Sequence, residues 1–118
     1  MMFRFFAMPT LLILAITSLL TGCGPHPTAG EWVATTDTPA AYARIQIEFD
    51  GKAYLFVPER EDHQVRCFWS SFNRTTIDMD CIRNDPSERR LNYRLGLEDE
   101  ATGTLTESGA HLGRYRRR

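Results

Sequence analysis

The sequence predicts an all-β fold in which a small antiparallel meander sheet curls into a barrel or half-barrel, preceded by an N-terminal signal helix. Three observations indicate this fold. From residue 30 onward, short segments alternate apolar with polar residues, turn-forming residues separate them, and no apolar stripe has helical spacing and length. Such a meander must curl to cover its apolar face. The 118 residues, 42% of them hydrophobic, suffice for one globular domain at most.

The first element is an export signal. A short basic start, residues 1–4, precedes an uncharged apolar run at residues 5–20, which is shorter than the roughly 20 residues that a membrane-spanning helix needs. The run ends in Leu20-Thr21-Gly22-Cys23. This sequence resembles the lipobox of bacterial lipoproteins. The resemblance implies that residues 1–22 are a cleaved signal peptide and that the Cys23 sulfur carries a diacylglyceryl group, with the new amine acylated.

The same resemblance implies a location. Gly24 follows Cys23 where an inner-membrane retention signal would place Asp. We therefore expect anchoring in the inner leaflet of the outer membrane, facing the periplasm, since two or three acyl chains bind a protein to a bilayer almost permanently. Residues 23–29 are then the lipidated cysteine and a Pro-containing linker, and residues 30–118 are the β-domain.

The first hairpin follows the linker. Residues 30–34 form the first strand, and residues 42–50 alternate strictly. We expect the second strand to bury one face, made of Ala43, Ile45, Ile47 and Phe49. Asp50-Gly51 is a preferred two-residue primed turn, so residues 53–57 are the partner strand, which ends at Pro58.

A disulfide hairpin comes next. Residues 63–72 and 75–83 are rich in aromatic and β-branched residues and flank Asn73-Arg74. A pairing centred on Arg74 places Cys67 opposite Cys81 and one set of apolar residues on one face: Val65, Trp69, Ile77 and Met79. A disulfide is favoured in an oxidising compartment and contributes roughly 3 kcal/mol. Without a C-x-x-C motif or paired histidines, we expect neither a metal site nor a cofactor.

The last strands complete the sheet. Residues 90–97 place Leu91, Tyr93, Leu95 and Leu97 at alternate positions, and residues 101–106 and 110–115 form a final hairpin around a turn at 107–109. Gly30-x-Trp32, the Asp50-Gly51 hairpin and residues 112–116 resemble the lipocalin-like, or calycin-like, small barrels of bacterial envelope lipoproteins. The resemblance implies that Trp32 packs under Arg114 or Arg116 and closes the barrel, a contact of about 0.5 to 2 kcal/mol.

The net charge and the polar residues limit the partners and the kinds of site that the chain is expected to have. Fourteen Lys and Arg against fifteen Asp and Glu give a net charge of −1, so we expect no nucleic-acid partner. The arginines of residues 114–118 are either a contact for anionic lipid or cell-wall carboxylates, or a frayed soluble end. Ser70 and Ser71 are the candidate nucleophiles, but they lie in a strand, and His26, His63 and His111 are scattered along the chain. We therefore expect no catalytic site among them. Asp78 and Asp80 lie two positions apart on one face of a strand, and we interpret them as part of a solvated face and not as a calcium site.

The sequence therefore predicts a non-enzymatic, outer-membrane-anchored lipoprotein that binds something in the periplasm or supports an envelope assembly. Phe68 and Phe72 fall on the outward strand face and are candidates for a partner patch. Small envelope lipoproteins with a disulfide-braced β-fold include inhibitors and immunity proteins acting on secreted cell-wall hydrolases, for which the acidic loop with Glu59, Glu61 and Asp62 is the candidate contact. A lipocalin-like carrier of a small apolar ligand is the third alternative.

Overall fold

The computed structural model describes residues 26–118, so the predicted signal helix and Cys23 lie outside the described residues. Eight antiparallel strands close into a barrel, each strand pairing with its neighbours in the chain and the first with the last. The strands are β1 (Gly30–Ala34), β2 (Arg44–Ile47), β3 (Lys52–Phe56), β4 (Val65–Asn73), β5 (Thr76–Arg83), β6 (Arg90–Leu97), β7 (Thr102–Glu107) and β8 (Ala110–Arg117). The predicted all-β class is confirmed, and the sheet forms a closed barrel.

Alternate connections fall at the same end of an up-and-down barrel. The end that we call the N-terminal end carries residues 26–29 and the turns at 48–51, 74–75 and 98–101. The opposite end carries the connections at 35–43, 57–64, 84–89 and 108–109.

Side chains fill the barrel interior. Large residues from every strand are buried there: Trp32, Ile45, Leu55, Val65, Ile77, Met79, Leu95, Leu105 and Tyr115. An eight-stranded barrel has an interior just wide enough for such packing. The core of this domain is thus the inside of the barrel, and the outward residues are available for other roles.

Three tyrosine hydroxyls are satisfied within the core. The Tyr42 and Tyr93 hydroxyls lie 2.7 Å apart, and the Tyr115 hydroxyl donates to the Tyr42 carbonyl oxygen at 2.7 Å. Burial raises the pKa of Tyr115 to about 12, and burial together with the Tyr42 hydroxyl raises the pKa of Tyr93. These bonds join β8 and β6 to the segment that leads into β2.

The β4–β5 hairpin has the predicted register. Cys67 pairs with Cys81 and forms a disulfide, with the two Cα atoms 4.0 Å apart. Further along the hairpin, Ser71 pairs with Ile77, and a bulge then moves the turn to residues 74–75. The predicted pairing is confirmed up to the bulge.

The β2–β3 connection differs from its prediction. The Glu48 amide donates to the Lys52 carbonyl oxygen at 2.8 Å, and Gly51 has a φ of 97°, so three residues rather than two make the turn. The extra residue ends the alternation of β2 at Ile47. Phe49 is therefore 81% exposed, and the expectation that it belongs to the buried face is wrong.

Candidate functional site

The barrel is closed by Arg117, and the expectation of Arg114 or Arg116 is wrong. Trp32 pairs with Arg117 across β1 and β8, and the guanidinium carbon lies 4.4 Å from the centre of the Trp32 ring. Alternation is the physical reason, because Arg117 shares the inward face of β8 with Gly113 and Tyr115. Arg114 and Arg116 point outward along the same strand.

Arg117 also binds three backbone carbonyl oxygens at the N-terminal end. Its Nη1 donates to Ala29 O at 2.7 Å and its Nε to Glu100 O at 3.1 Å, while its Nη2 donates to Pro27 O. One side chain thus joins β8, the β6–β7 turn and the segment before β1. Sequence reasoning missed this residue, although the inward position of Tyr115 two residues earlier indicates it.

Residues 26–29 lie against the barrel rather than away from it. Thr28 is fully buried, and the Trp32 indole Nε1 donates to its carbonyl oxygen at 2.9 Å. The His26 Nε2 lies 2.8 Å from Asn73 O, and its ring packs edge-on against Trp69 at 5.8 Å between centroids. This part of the predicted linker is therefore fixed to the barrel.

A groove of about 740 Å³ opens beside this segment. The docked residues form one wall and the β6–β7 turn the other, and the groove is lined by His26, Pro27, Ala29, Thr75, Leu97, Glu98, Asp99, Glu100 and Arg117. Hydrogen bonds from the Ala101 and Thr102 amides lower the pKa of Asp99. The groove is thus lined by the apolar side chains of Pro27, Ala29 and Leu97 and by charged ones.

The outward face of β4 carries the two predicted patch aromatics. Phe68 is 71% exposed and sits between Lys52 of β3 and Asp80 of β5. Phe72 is 55% exposed, and the Arg94 guanidinium stacks on its ring at 3.9 Å. We call these two residues the β4 aromatic pair. Both are presented to solvent, as the sequence predicts.

Arg94 links the β4 aromatic pair to the predicted acidic positions. Its Nε and Nη2 donate to the two carboxylate oxygens of Asp78 at 2.7 and 3.2 Å, which raises the pKa of Arg94. Asp78 is therefore ion-paired on the same face as Asp80. Within residues 26–118, no group of three or more His, Cys, Asp or Glu side chains is placed to hold a metal ion.

The acidic loop lies apart from Phe72 of the β4 aromatic pair. Glu59, Glu61 and Asp62 are exposed in the connection before β4, at the opposite end of the barrel. Phe72 is the seventh residue after Val65, so it lies about 23 Å along the strand from its start. Phe72 is consequently remote from the acidic loop, whereas Phe68 lies only about 10 Å along the strand from the same point.

The other candidate side chains do not form a catalytic arrangement where the structure describes them. Ser70 and Ser71 are exposed strand residues, and the Ser71 hydroxyl donates to Asn73 O. His63 packs on Tyr54 at 4.7 Å near the opposite end, whereas His26 lies at the N-terminal end. His111 is exposed in β8.

The C-terminal arginines form part of the barrel. Arg114 pairs with Glu98 at 3.0 Å and with Asp37 at 3.5 Å, and Arg118 pairs with Glu31 at 3.2 Å. Since Arg117 closes the barrel, Arg116 alone of the four remains without an ion pair or side-chain hydrogen bond within residues 26–118. The alternative of a frayed end is therefore wrong.

Comparison of the chain with protein-family models, with curated proteins and with solved structures finds no match. Residues 26–118 include no helix that is long and apolar enough to cross a lipid bilayer. The candidate site accordingly rests on the geometry of the barrel surface.

Proposed function

We propose that the chain is a lipid-anchored cell-envelope protein whose barrel is a non-enzymatic binding module. The observation that carries this proposal is that side chains occupy the interior while the β4 aromatic pair faces solvent. A module with a filled interior binds with its outer surface. This arrangement favours a macromolecular partner. It argues against a small apolar ligand carried inside the barrel, which is the role that the lipocalin-like resemblance implies.

The β4 aromatic pair has the chemistry of a protein-binding surface. Phe side chains bury large apolar areas on association, and aromatic and Arg residues are enriched in the contacts that dominate binding energy. Stacking on Arg94 restricts the Phe72 ring, so less conformational entropy is lost when a partner covers it. The flanking Lys52 and Asp80 provide both signs of charge at the rim. The partner is expected to offer an apolar pocket with polar edges.

Two sequence features support the envelope location. The lipobox at residues 20–23 provides the anchor, and the Cys67–Cys81 disulfide is the kind of bond that persists in oxidising compartments. The mass of the mature protein tests the anchor directly, since cleavage before Cys23 with added diacylglyceryl and acyl groups is expected. Recovery of the full-length chain with an unmodified Cys23 would contradict it.

Site-specific photo-crosslinking in intact envelopes tests the binding surface. A photo-reactive residue replaces Phe68 in one variant and Phe72 in another, and both are expected to capture the same protein. The matched control replaces Arg116, an exposed residue on β8, four strands from β4 around the barrel. Phe68→Glu is expected to reduce capture through position 72. Capture that is equal at all three positions, or unaffected by Phe68→Glu, would refute this surface.

The acidic loop supports a second candidate, inhibition of a secreted cell-wall hydrolase. Glu59 adopts a left-handed backbone with φ of 66°, as Glu88 and Ser108 do in two other connections, and the loop presents Glu59, Glu61 and Asp62 to solvent. An exposed loop held in this way can dock on a basic enzyme. Mixing the protein with lysozyme-type hydrolases tests this function: a reduced rate that Glu61→Lys restores is expected, and an unchanged rate with the native protein excludes it.

A further inference from the structure

We propose that the N-terminal end of the barrel lies against the bilayer surface, with Phe49 in contact with the lipid. This inference rests on the proposed lipid anchor at Cys23 and adds to it an orientation of the barrel and a contact residue. The partner is a lipid surface, and the contact is separate from the β4 aromatic pair. Three observations support it: where the chain joins the barrel, what that end exposes, and how that end is charged.

The first observation is the short distance between anchor and barrel. His26 is held by Asn73 O and by the Trp69 ring, and Thr28 is buried under Trp32. His26 is the third residue after Cys23, a distance of about 10 Å at full extension. The opposite end lies about 20 Å further away, because β8 has eight residues and barrel strands tilt by about 40°. A lipid on Cys23 therefore places the N-terminal end next to the bilayer.

The second observation is the exposure of Phe49. It is the most exposed of the large hydrophobic residues of the described chain, at 81%, and it lies on a turn of the N-terminal end. Phe49 belongs to neither the core nor the β4 aromatic pair. Aromatic side chains are favoured at the boundary between headgroups and acyl chains. The apolar walls of the groove beside Pro27 and Leu97 open at the same end.

The third observation concerns charge. The carboxylates of Glu98, Asp99 and Glu100 line that groove together with the guanidinium of Arg117. Lys52, Arg74 and Arg118 lie at the same end, so its charges are of both signs and give no strong attraction to anionic lipid. We therefore expect contact with a zwitterionic surface, held by the anchor and by Phe49.

Fluorescence quenching in vesicles tests the orientation. The full chain is produced so that Cys23 is lipidated, and is reconstituted in phosphatidylcholine vesicles whose lipids carry a nitroxide in the headgroup region. A fluorophore is attached at Phe49→Cys or, as the matched control, at Glu61→Cys in the opposite end. The label at position 49 is expected to lose most of its emission, and the label at position 61 to keep it.

A third label separates the role of Phe49 from that of the tether. The fluorophore is placed at Thr75→Cys, on another turn of the N-terminal end, with and without Phe49→Ser. We expect weaker quenching when Phe49 is replaced, and equal quenching would refute the lipid contact of this residue. Equal quenching at positions 49 and 61 in a lipidated, vesicle-bound protein would refute the orientation while the anchor stands. An unmodified Cys23 in the mass spectrum would refute the anchor and this inference together.

Discussion

Replacing Arg117 by alanine tests how the barrel is closed. The substitution removes the guanidinium from the face of Trp32 and from the carbonyl oxygens of Pro27, Ala29 and Glu100. It also leaves those carbonyl groups without their donor. We expect the free energy of unfolding to fall substantially, because the segment before β1 and the β6–β7 turn lose their common contact with β8.

The magnitude follows from the contacts. Each hydrogen bond from the guanidinium is taken as about 1 kcal/mol, below the roughly 1.5 to 3 kcal/mol of buried charged groups, because the site is half-exposed. The cation–π contact adds about 0.5 to 1 kcal/mol. A loss of about 3.5 to 4 kcal/mol is expected, which is a large part of the roughly 5 to 10 kcal/mol typical of a domain of this size.

Urea unfolding followed by tryptophan fluorescence measures the loss. The matched control is Arg116→Ala, which removes the same side chain one position earlier on the outward face and is expected to change stability by less than about 0.5 kcal/mol. Arg117→Lys keeps the charge but not the planar group with its several donors, so it is expected to recover only part of the loss. Equal effects of Arg117→Ala and Arg116→Ala would refute the assignment of Arg117 as the closing residue.

Three further predictions concern the core. Replacing Cys67 and Cys81 together by serine is expected to lower the unfolding free energy by about 3 kcal/mol in urea, and an unchanged midpoint would contradict the stabilising role of the disulfide. Tyr115 has its pKa raised from 10 to about 12 in the folded state, so its contribution of about 3 kcal/mol is present below pH 10 and lost as the pH rises to 12. Alkaline titration should show stability falling across this window, and Tyr115→Phe should make the fall less steep without removing it, because the pKa of Tyr93 is raised as well. Gly113→Ala places a Cβ 2.8 Å from that of Ala40 and is expected to cost about 1 to 3 kcal/mol by thermal unfolding, whereas Gly96→Ala, whose Cβ meets nothing closer than 3.4 Å, should be tolerated better.

The β4–β5 hairpin shows what the sequence is able to specify. Its alternation, its turn and its two cysteines all favour the same pairing, and a slip of one residue would expose the whole apolar face. Cys67 and Cys81 are paired as predicted, and the predicted bounds of β6 equal the observed ones. The outward positions of Phe68 and Phe72 follow from the same alternation. Where several local signals agree, the strand register can be predicted without reference to the rest of the chain.

Phe49 shows where alternation stops being informative. The pattern of residues 42–50 continues without interruption through the turn, since nothing in the order of apolar and polar residues marks the end of β2. The end is set by Gly51, whose left-handed backbone allows a three-residue connection. Alternation therefore assigns residues to faces correctly only within a strand.

Residues 26–29 could not be placed from the sequence for a different reason. They carry no periodic pattern, and the contacts of this segment are with residues far away in the chain, such as His26 with Asn73. Proline and small residues in such a segment are typical of a linker. Only the closed barrel brings its end, and therefore these partners, to the place where the segment passes.

The residues before β1 also explain why an arginine closes this barrel. Carbonyl oxygens of Pro27, Ala29 and Glu100 face the closing position from two segments outside the sheet, and one side chain donates hydrogen bonds to all three. Arg117 does this while its cation lies on the ring of Trp32. An apolar residue there would leave the carbonyl groups unpaired, and a lysine would present a compact charge in place of the planar group. The residue that completes the core therefore also fixes the point at which the chain enters the barrel, which is the point that determines how a lipid at Cys23 would orient it.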